Sequence, residues 1–185
     1  MISPPEHKIA ITYIGELDSS IIEELGIMVF NTFGFRTKYL SLLKDVDFAL
    51  DQNRSQYNST LILNKLASVA PLNTIRILAL CNVDLFIPIF THVFGEAQLG
   101  GKTCVISTYR LKSDLPVIKS QRTYHDRIIK EAIHELGHTF NLRHCSDPFC
   151  GMHYCRTIKD VDNKSDEFCR YCRILLKDEI ERIAE

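Results

Sequence analysis

Arg122-Thr123-Tyr124-His125-Asp126-Arg127-Ile128-Ile129-Lys130-Glu131-Ala132-Ile133-His134-Glu135-Leu136-Gly137-His138-Thr139-Phe140 is the stretch on which the reading of this 185-residue chain turns. Tyr124, Ile128, Ile129, Ala132, Ile133, Leu136 and Phe140 recur at helical steps, so the segment is expected to be one long helix with a buried face. Within it, His134-Glu135-Leu136-Gly137-His138 reads H-E-x-x-H. Residues four apart stand one above the other on a helix, so both imidazoles can reach one ion. Glu135 is offset by one position and can approach a water on that ion instead. With seven His in the chain, this pattern is expected only about 0.02 times by chance.

His144 lies six residues beyond His138. In an unbroken helix it would stand about 9 Å further along the axis, too far to share the ion. The chain must therefore reverse near Asn141, a residue type that tolerates the left-handed conformation. Three imidazoles with an open fourth position form the catalytic pattern for zinc, whereas a purely structural three-histidine site would leave Glu135 without a role.

Upstream of this helix the chain alternates between strand-like and helix-like segments. Lys8 to Ile14 and Phe35 to Leu43 read as strands. Ser20-Ile21-Ile22-Glu23 fits a capping box, with Ile21, Leu25, Met28 and Val29 on one helical face behind it. Ser55 to Ala70 reads as a second helix, ending before Pro71. Ile75 to Cys81 is a short apolar run suited to a central strand. Phe90 to Leu99 and Thr103 to Tyr109 are two more strand-like runs around Gly100-Gly101, a tight reversal that makes one of them an antiparallel edge. The order implies an α/β fold with a twisted, mixed, mostly parallel sheet packed on the His-bearing helix. An irregular Cys-rich stretch, Asn141 to about Phe168, precedes a last helix, about Arg170 to Ala184, expected to bury Ile174, Leu175, Ile180 and Ile183.

Composition narrows the function classes. The chain is 45% hydrophobic and 24% charged, with net charge −1. That is ordinary for one globular domain and gives no electrostatic footprint for nucleic acid or an anionic membrane. The N-terminus, Met1 to Lys8, lacks a basic segment followed by an apolar run and does not read as a secretory signal, so a cytoplasmic address is expected. No stretch approaches a membrane span.

Five of the seven cysteines, Cys145, Cys150, Cys155, Cys169 and Cys172, crowd into the last quarter of the chain. Cys81 and Cys104 stand apart in apolar runs and read as buried free thiols. In a reducing compartment clustered cysteines point to metal. Cys145, Cys150 and the Cys169-Arg170-Tyr171-Cys172 loop suit a tetrahedral four-thiolate zinc site, with iron or a pair of disulfides as the alternatives.

His134-Glu135-x-x-His138-x-x-Asn141-x-x-His144-Cys145-x₄-Cys150-x-Met152, followed by Cys169-x-x-Cys172, resembles the archaemetzincin pattern, a branch of the metzincin zinc metallopeptidases. The motif spans about forty residues, and Phe94-Gly95-Glu96-Ala97-Gln98-Leu99-Gly100-Gly101 upstream is also similar. The resemblance implies a metzincin-like catalytic domain over residues 1–185. An N-terminal α/β subdomain would cover 1–140, and a small Cys-rich C-terminal subdomain ending in a helix would cover 141–185. It implies two Zn²⁺ per chain. His134, His138 and His144 would hold the catalytic ion, with Glu135 as general base, and Cys145, Cys150, Cys169 and Cys172 would hold the structural one. It makes Met152 the methionine of the Met-turn. It also sets Tyr154 where a phenol can approach the metal or an oxyanion, while His153 is an incidental loop residue.

By the same resemblance Phe94, Gly95, Glu96, Ala97 and Gln98 form an edge strand to which an extended peptide adds by main-chain hydrogen bonds. The partner expected is a peptide or protein substrate, with neither nucleic acid nor membrane, and the chain is expected to be a monomer. Two departures stand out. Asn141 replaces the family's usual Gly, at a cost of about 1 kcal/mol if left-handed. The interval from Met152 to Cys169 is one residue shorter than the family pattern, which leaves Cys155 as an alternative ligand. Hydrolysis of a non-peptide amide, or a non-enzymatic zinc-stapled binding module, are the competing readings.

Overall fold

The computed structural model describes residues 7–116 and 120–184; the N-terminal segment read above against a secretory signal lies, except for His7 and Lys8, outside them. Eight strands and five helices follow in order. They are β1 (Lys8–Ile14), α1 (Ser19–Phe33), β2 (Thr37–Tyr39), β3 (Leu50–Asp51), β4 (Gln56–Asn58), α2 (Ser59–Ser68), β5 (Thr74–Cys81), β6 (Leu85–Phe86), β7 (Gly95–Ala97), β8 (Thr103–Ser107), α3 (Ser120–Thr139), α4 (Ile158–Asn163) and α5 (Arg170–Ala184). Five strands make the main sheet in the order β2-β1-β5-β8-β7. All its pairs are parallel except β7 with β8, which is antiparallel and lies at the edge. A small second sheet, β3-β4-β6, flanks it.

The pleat of β1, β5 and β8 sends alternate residues to opposite faces, and each face has its own core. Ile9, Ile11, Leu78, Leu80, Cys104 and Ile106 pack with Ile21, Leu25, Val29 of α1 and Ile129, Ala132, Ile133, Leu136 of α3. Ala10, Ile77, Ala79, Cys81 and Val105 pack with Ile62, Leu63 and Leu66 of α2. All eight residues of β5 are buried, as befits a central strand covered on both sides. Cys81 and Cys104 are free thiols within these layers. Burial pushes Cys81 up to about 12 and Cys104 well above the usual thiol range, so neither is a nucleophile.

Several local expectations need correcting. The cap of α1 is Asp18, whose carboxylate accepts from the Ser20 amide, and not the Ser20/Glu23 box. Asp18 competes for the same backbone donors and begins the helix one residue before Ser20. Only Thr37–Tyr39 of the run Phe35 to Leu43 is strand. Similarly, Asn58, accepting from the amides of Thr60 and Leu61, starts α2 later than Ser55. In α5 the buried side chains are Cys172 and Leu176, with Ile180 and Ile183 partly covered. Ile174 and Leu175 are 50% and 38% exposed. The stretch taken as irregular contains α4, opened by a capping box between Thr157 and Asp160. Among the described residues no helix is long and apolar enough to cross a membrane.

Candidate active site

The C-terminus of α3 closes in a Schellman arrangement. The Leu142 amide donates to the Gly137 carbonyl (3.1 Å) and the Asn141 amide to the His138 carbonyl (2.9 Å). Asn141 takes the left-handed residue of that motif, at φ 62°. Arg76 on β5 donates to the Thr139 carbonyl and lies over the Phe140 ring, covering the helix end. The chain doubles back and brings the ligand atoms of His134, His138 and His144 within 4.8 Å of one another.

Each of the two helical imidazoles is fixed from behind. Nδ1–H of His134 donates to the Gly151 carbonyl (2.8 Å) and that of His138 to the Leu142 carbonyl (2.7 Å). Both Nε2 lone pairs therefore face inward, 3.1 Å apart. Two acceptors at that distance repel unless a cation sits between them. The separation is close to the roughly 3.3 Å that tetrahedral zinc with ~2.0 Å bonds to nitrogen would impose. Burial lowers the pKa of all three rings, with His138 down to about 4 and His134 well below the usual range, so they stay neutral and free to donate lone pairs. The residues fit a zinc ion. His144, by contrast, is exposed and makes no hydrogen bond through its ring among the described residues; it packs against His134, His138 and Tyr154.

Glu135 is 6% exposed and faces β7. A methyl group added at Gly95 would come within 2.6 Å of its Cγ and 2.8 Å of its Oε1. Only glycine lets the edge strand approach this carboxylate so closely. Burial, reinforced by the charge of Glu131, holds Glu135 well above the usual carboxylate range. Gly137 makes a second close approach, because Met152 Sδ packs directly against the space a Cβ would fill. Met152 is wholly buried beneath the helix that carries His134 and His138.

A cleft of about 770 Å³ runs between β7 and the loop after Met152. Phe94, Gly95, Glu96 and Ala97 line it, as do Tyr154, Cys155 and Arg156 across from them; Gln98 does not. The Glu96 carboxylate accepts from Thr60 Oγ1 (2.9 Å) and from Ser59 Oγ at the start of α2, which anchors the strand. Tyr154 stands with its ring centroid 4.8 Å from that of His144.

Cys145, Cys150, Cys169 and Cys172 form a second cluster, their sulfurs within 4.8 Å of one another. Cys145 and Cys169 Sγ are 3.8 Å apart, the edge of a sulfur tetrahedron around zinc at about 2.3 Å and far beyond the ~2.05 Å of a disulfide. All four are free thiols. Burial pushes the Cys150 thiol up, and its Sγ accepts from the amides of Cys169 and Met152, which offset part of that rise. Cys155 stands outside the cluster, where burial pushes its thiol up to about 11. His153 is no idle loop residue: its Nδ1–H donates to the Cys145 carbonyl (3.1 Å).

Sequence patterns did not single out two groups beside the site. Arg143 lines the cleft from beyond the chain reversal. Glu131 also lines it, one helical turn before Glu135, and pairs at 2.7 Å with Lys164 from the end of α4. Burial disfavours the Lys164 charge, but Glu131 more than offsets this and keeps the ammonium above the usual lysine range. Helical spacing places Glu131 on the face of His134, Glu135 and His138, which is the one signal that could have found it. Lys164 comes from a helix the sequence did not reveal.

The family model described as peptidase family M54 matches residues 27–178. The archaemetzincin of Methanocaldococcus jannaschii is 34% identical over 177 residues, covering 92% of this chain and 93% of that protein. The crystal structure of archaemetzincin from Methanopyrus kandleri superposes with a TM-score of 0.83 at 31% identity, covering 98% of this chain and 100% of the other. That from Archaeoglobus fulgidus, solved with malonate, gives 0.76 at 32% identity, covering 91% and 99%. The matched range takes in the positions of both clusters, and the chain belongs to peptidase family M54, the zinc metallopeptidases among which the archaemetzincins stand.

Proposed function

We propose that this chain hydrolyses peptide bonds as a single catalytic domain, with a catalytic zinc held by His134, His138 and His144 and a structural zinc held by Cys145, Cys150, Cys169 and Cys172. Residues 1–140 contribute the binding strand and the catalytic helix, and residues 141–185 the third histidine and the thiol cluster. One observation carries the reading: three converging imidazoles and a buried glutamate line one cleft, walled by an antiparallel edge strand.

Among the described residues the main-chain groups along the outer edge of β7 have no strand partner and can take an extended peptide by backbone hydrogen bonds. A bound zinc ion would supply Lewis acidity, polarising the scissile carbonyl and acidifying water to a pKa of about 7. Glu135 accepts the proton of the attacking water and passes it to the departing amine. The carbonyls of Gly151 and Leu142 hold His134 and His138 in the tautomer that keeps Nε2 unprotonated. Tyr154, packed against the His144 ring, would donate to the oxyanion.

Glu135→Gln is the test. It removes the base and preserves shape, so peptide hydrolysis should fall by at least about 10²-fold while elemental analysis still finds two zinc ions per chain. Undiminished turnover in that variant would end the mechanism. A screen of a protein digest for Glu135-dependent products separates peptide cleavage from hydrolysis of other amides.

A further inference from the structure

The cleft does not stop at the three histidines. Glu131, His134, Glu135 and His138 share one face of α3 at helical spacing, so the same wall continues about 6 Å towards the start of the helix and ends at Glu131. Cys155 and Arg156 close the opposite side. Glu131 lines the end of this extension, and behind it, outside the cleft lining, Lys164 forms a buried ion pair with it. The side chains of Lys164 and Glu131 are 0% and 4% exposed, and Nζ lies 2.7 Å from Oε1. Neither atom makes a further hydrogen bond of good geometry among the described residues, although the Cys155 thiol lies near enough to interact with the ammonium. The other carboxylate oxygen, Oε2, makes no hydrogen bond among the described residues, although the side chain lines the cleft.

Burying an ion pair seldom stabilises a fold more than an apolar pair of the same volume would. Here the pair sits where a substrate side chain beside the reacting bond would fall. We propose that Glu131, backed by Lys164, is a specificity-determining residue that takes an uncharged hydrogen-bond donor, a carboxamide above all, from the substrate side chain entering this extension. The carboxylate offers an acceptor to that donor. Lys164 cancels its charge, and with Arg156 at the rim it disfavours a cationic side chain. An aliphatic side chain would leave the Glu131 carboxylate without a donor from the ligand.

The inference rests on the three-histidine site anchoring the ligand, and the test keeps the two apart. Dipeptides carrying a hydroxamate anchor and differing only in the adjacent side chain (Gln, Leu or Lys) are titrated calorimetrically against the zinc-loaded chain. The Gln compound should bind at least about tenfold tighter than the Leu one, the usual worth of a hydrogen bond to a charged group, and Lys should also trail Gln. In Glu131→Leu/Lys164→Met, an apolar pair of similar volume, Leu should overtake Gln. Leu binding as well as Gln to the wild-type chain, or no side-chain dependence, overturns the subsite whether or not the double variant folds. The expected order with no peptide cleaved would retain the subsite and sink the peptidase reading instead.

Discussion

At the scale of single residues, function here depends on close approaches that leave no room for a methyl group. Gly95 is the clearest. Its Cα hydrogen faces the Glu135 carboxylate, and a Cβ would also come within 2.8 Å of the Val105 carbonyl on β8. In Gly95→Ala either the edge strand or the glutamate must shift by a good fraction of an ångström. A misplacement of about 1 Å at a reacting group can cost about 10²-fold. The expected result is a loss of that order in kcat/KM with both metals retained, read by steady-state kinetics and elemental analysis. Activity within twofold of wild type would mean that β7 does not set the position of Glu135.

Asn141 makes the opposite case, a residue doing work that glycine usually does. It holds φ 62° at the reversal that carries the chain from His138 to His144. Alanine cannot take that conformation without strain, so Asn141→Ala should lower stability by about 1 kcal/mol. For a chain of this size that is roughly 2–4 °C in Tm. Asn141→Gly should be at least as stable as wild type, and equal melting of all three proteins would contradict the account.

Among elements, long-range demands were legible and local competition was not. His144 could reach its partners only if the helix ended near Asn141, and it does. The Gly100-Gly101 reversal required an antiparallel edge, and β7 is one. Asp18 and Asn58, however, outcompeted the expected helix starts, because several side chains near a helix end can accept the same amides. The face of α5 was also misread. Ile174, Leu175, Leu176, Ile180 and Ile183 admit two overlapping stripes, and packing onto Phe168 and the thiol cluster selects the one through Cys172 and Leu176. Adjacent leucines test this. Leu176→Ala, at 5% exposure, should cost about 2–4 kcal/mol. Leu175→Ala, at 38%, should cost under about 1 kcal/mol. Similar losses in chemical denaturation would return α5 to the first stripe.

Across the whole molecule the two clusters are one structure in series. His144 and Cys145 are neighbours in the chain, and the Cys145 amide donates to the Met152 carbonyl (2.9 Å) while Cys150 Sγ takes the Met152 amide. The buried core runs without interruption from the sheet through Met152 and Phe168 to Cys172 and Leu176. His134 and His138 are held by a helix and by carbonyl bonds, whereas His144 has no hydrogen bond from its ring among the described residues and depends on the segment that Cys145 ties down. Losing the proposed thiol-bound metal should therefore weaken catalysis at a distance. Cys172→Ser is expected to retain less than two zinc ions, to melt well below wild type, and to lose more than about tenfold in kcat/KM, although it contributes nothing to the three-histidine site. Graded chelation of the wild-type chain should act in the other order. The ion at the open site should leave first and take activity with it while Tm changes little, and Tm should fall only when a thiolate-bound ion follows, because that ion would close a loop of the core. A Cys172→Ser protein with one metal and full activity would show that the clusters are independent, and that His144 is held by something other than its neighbour.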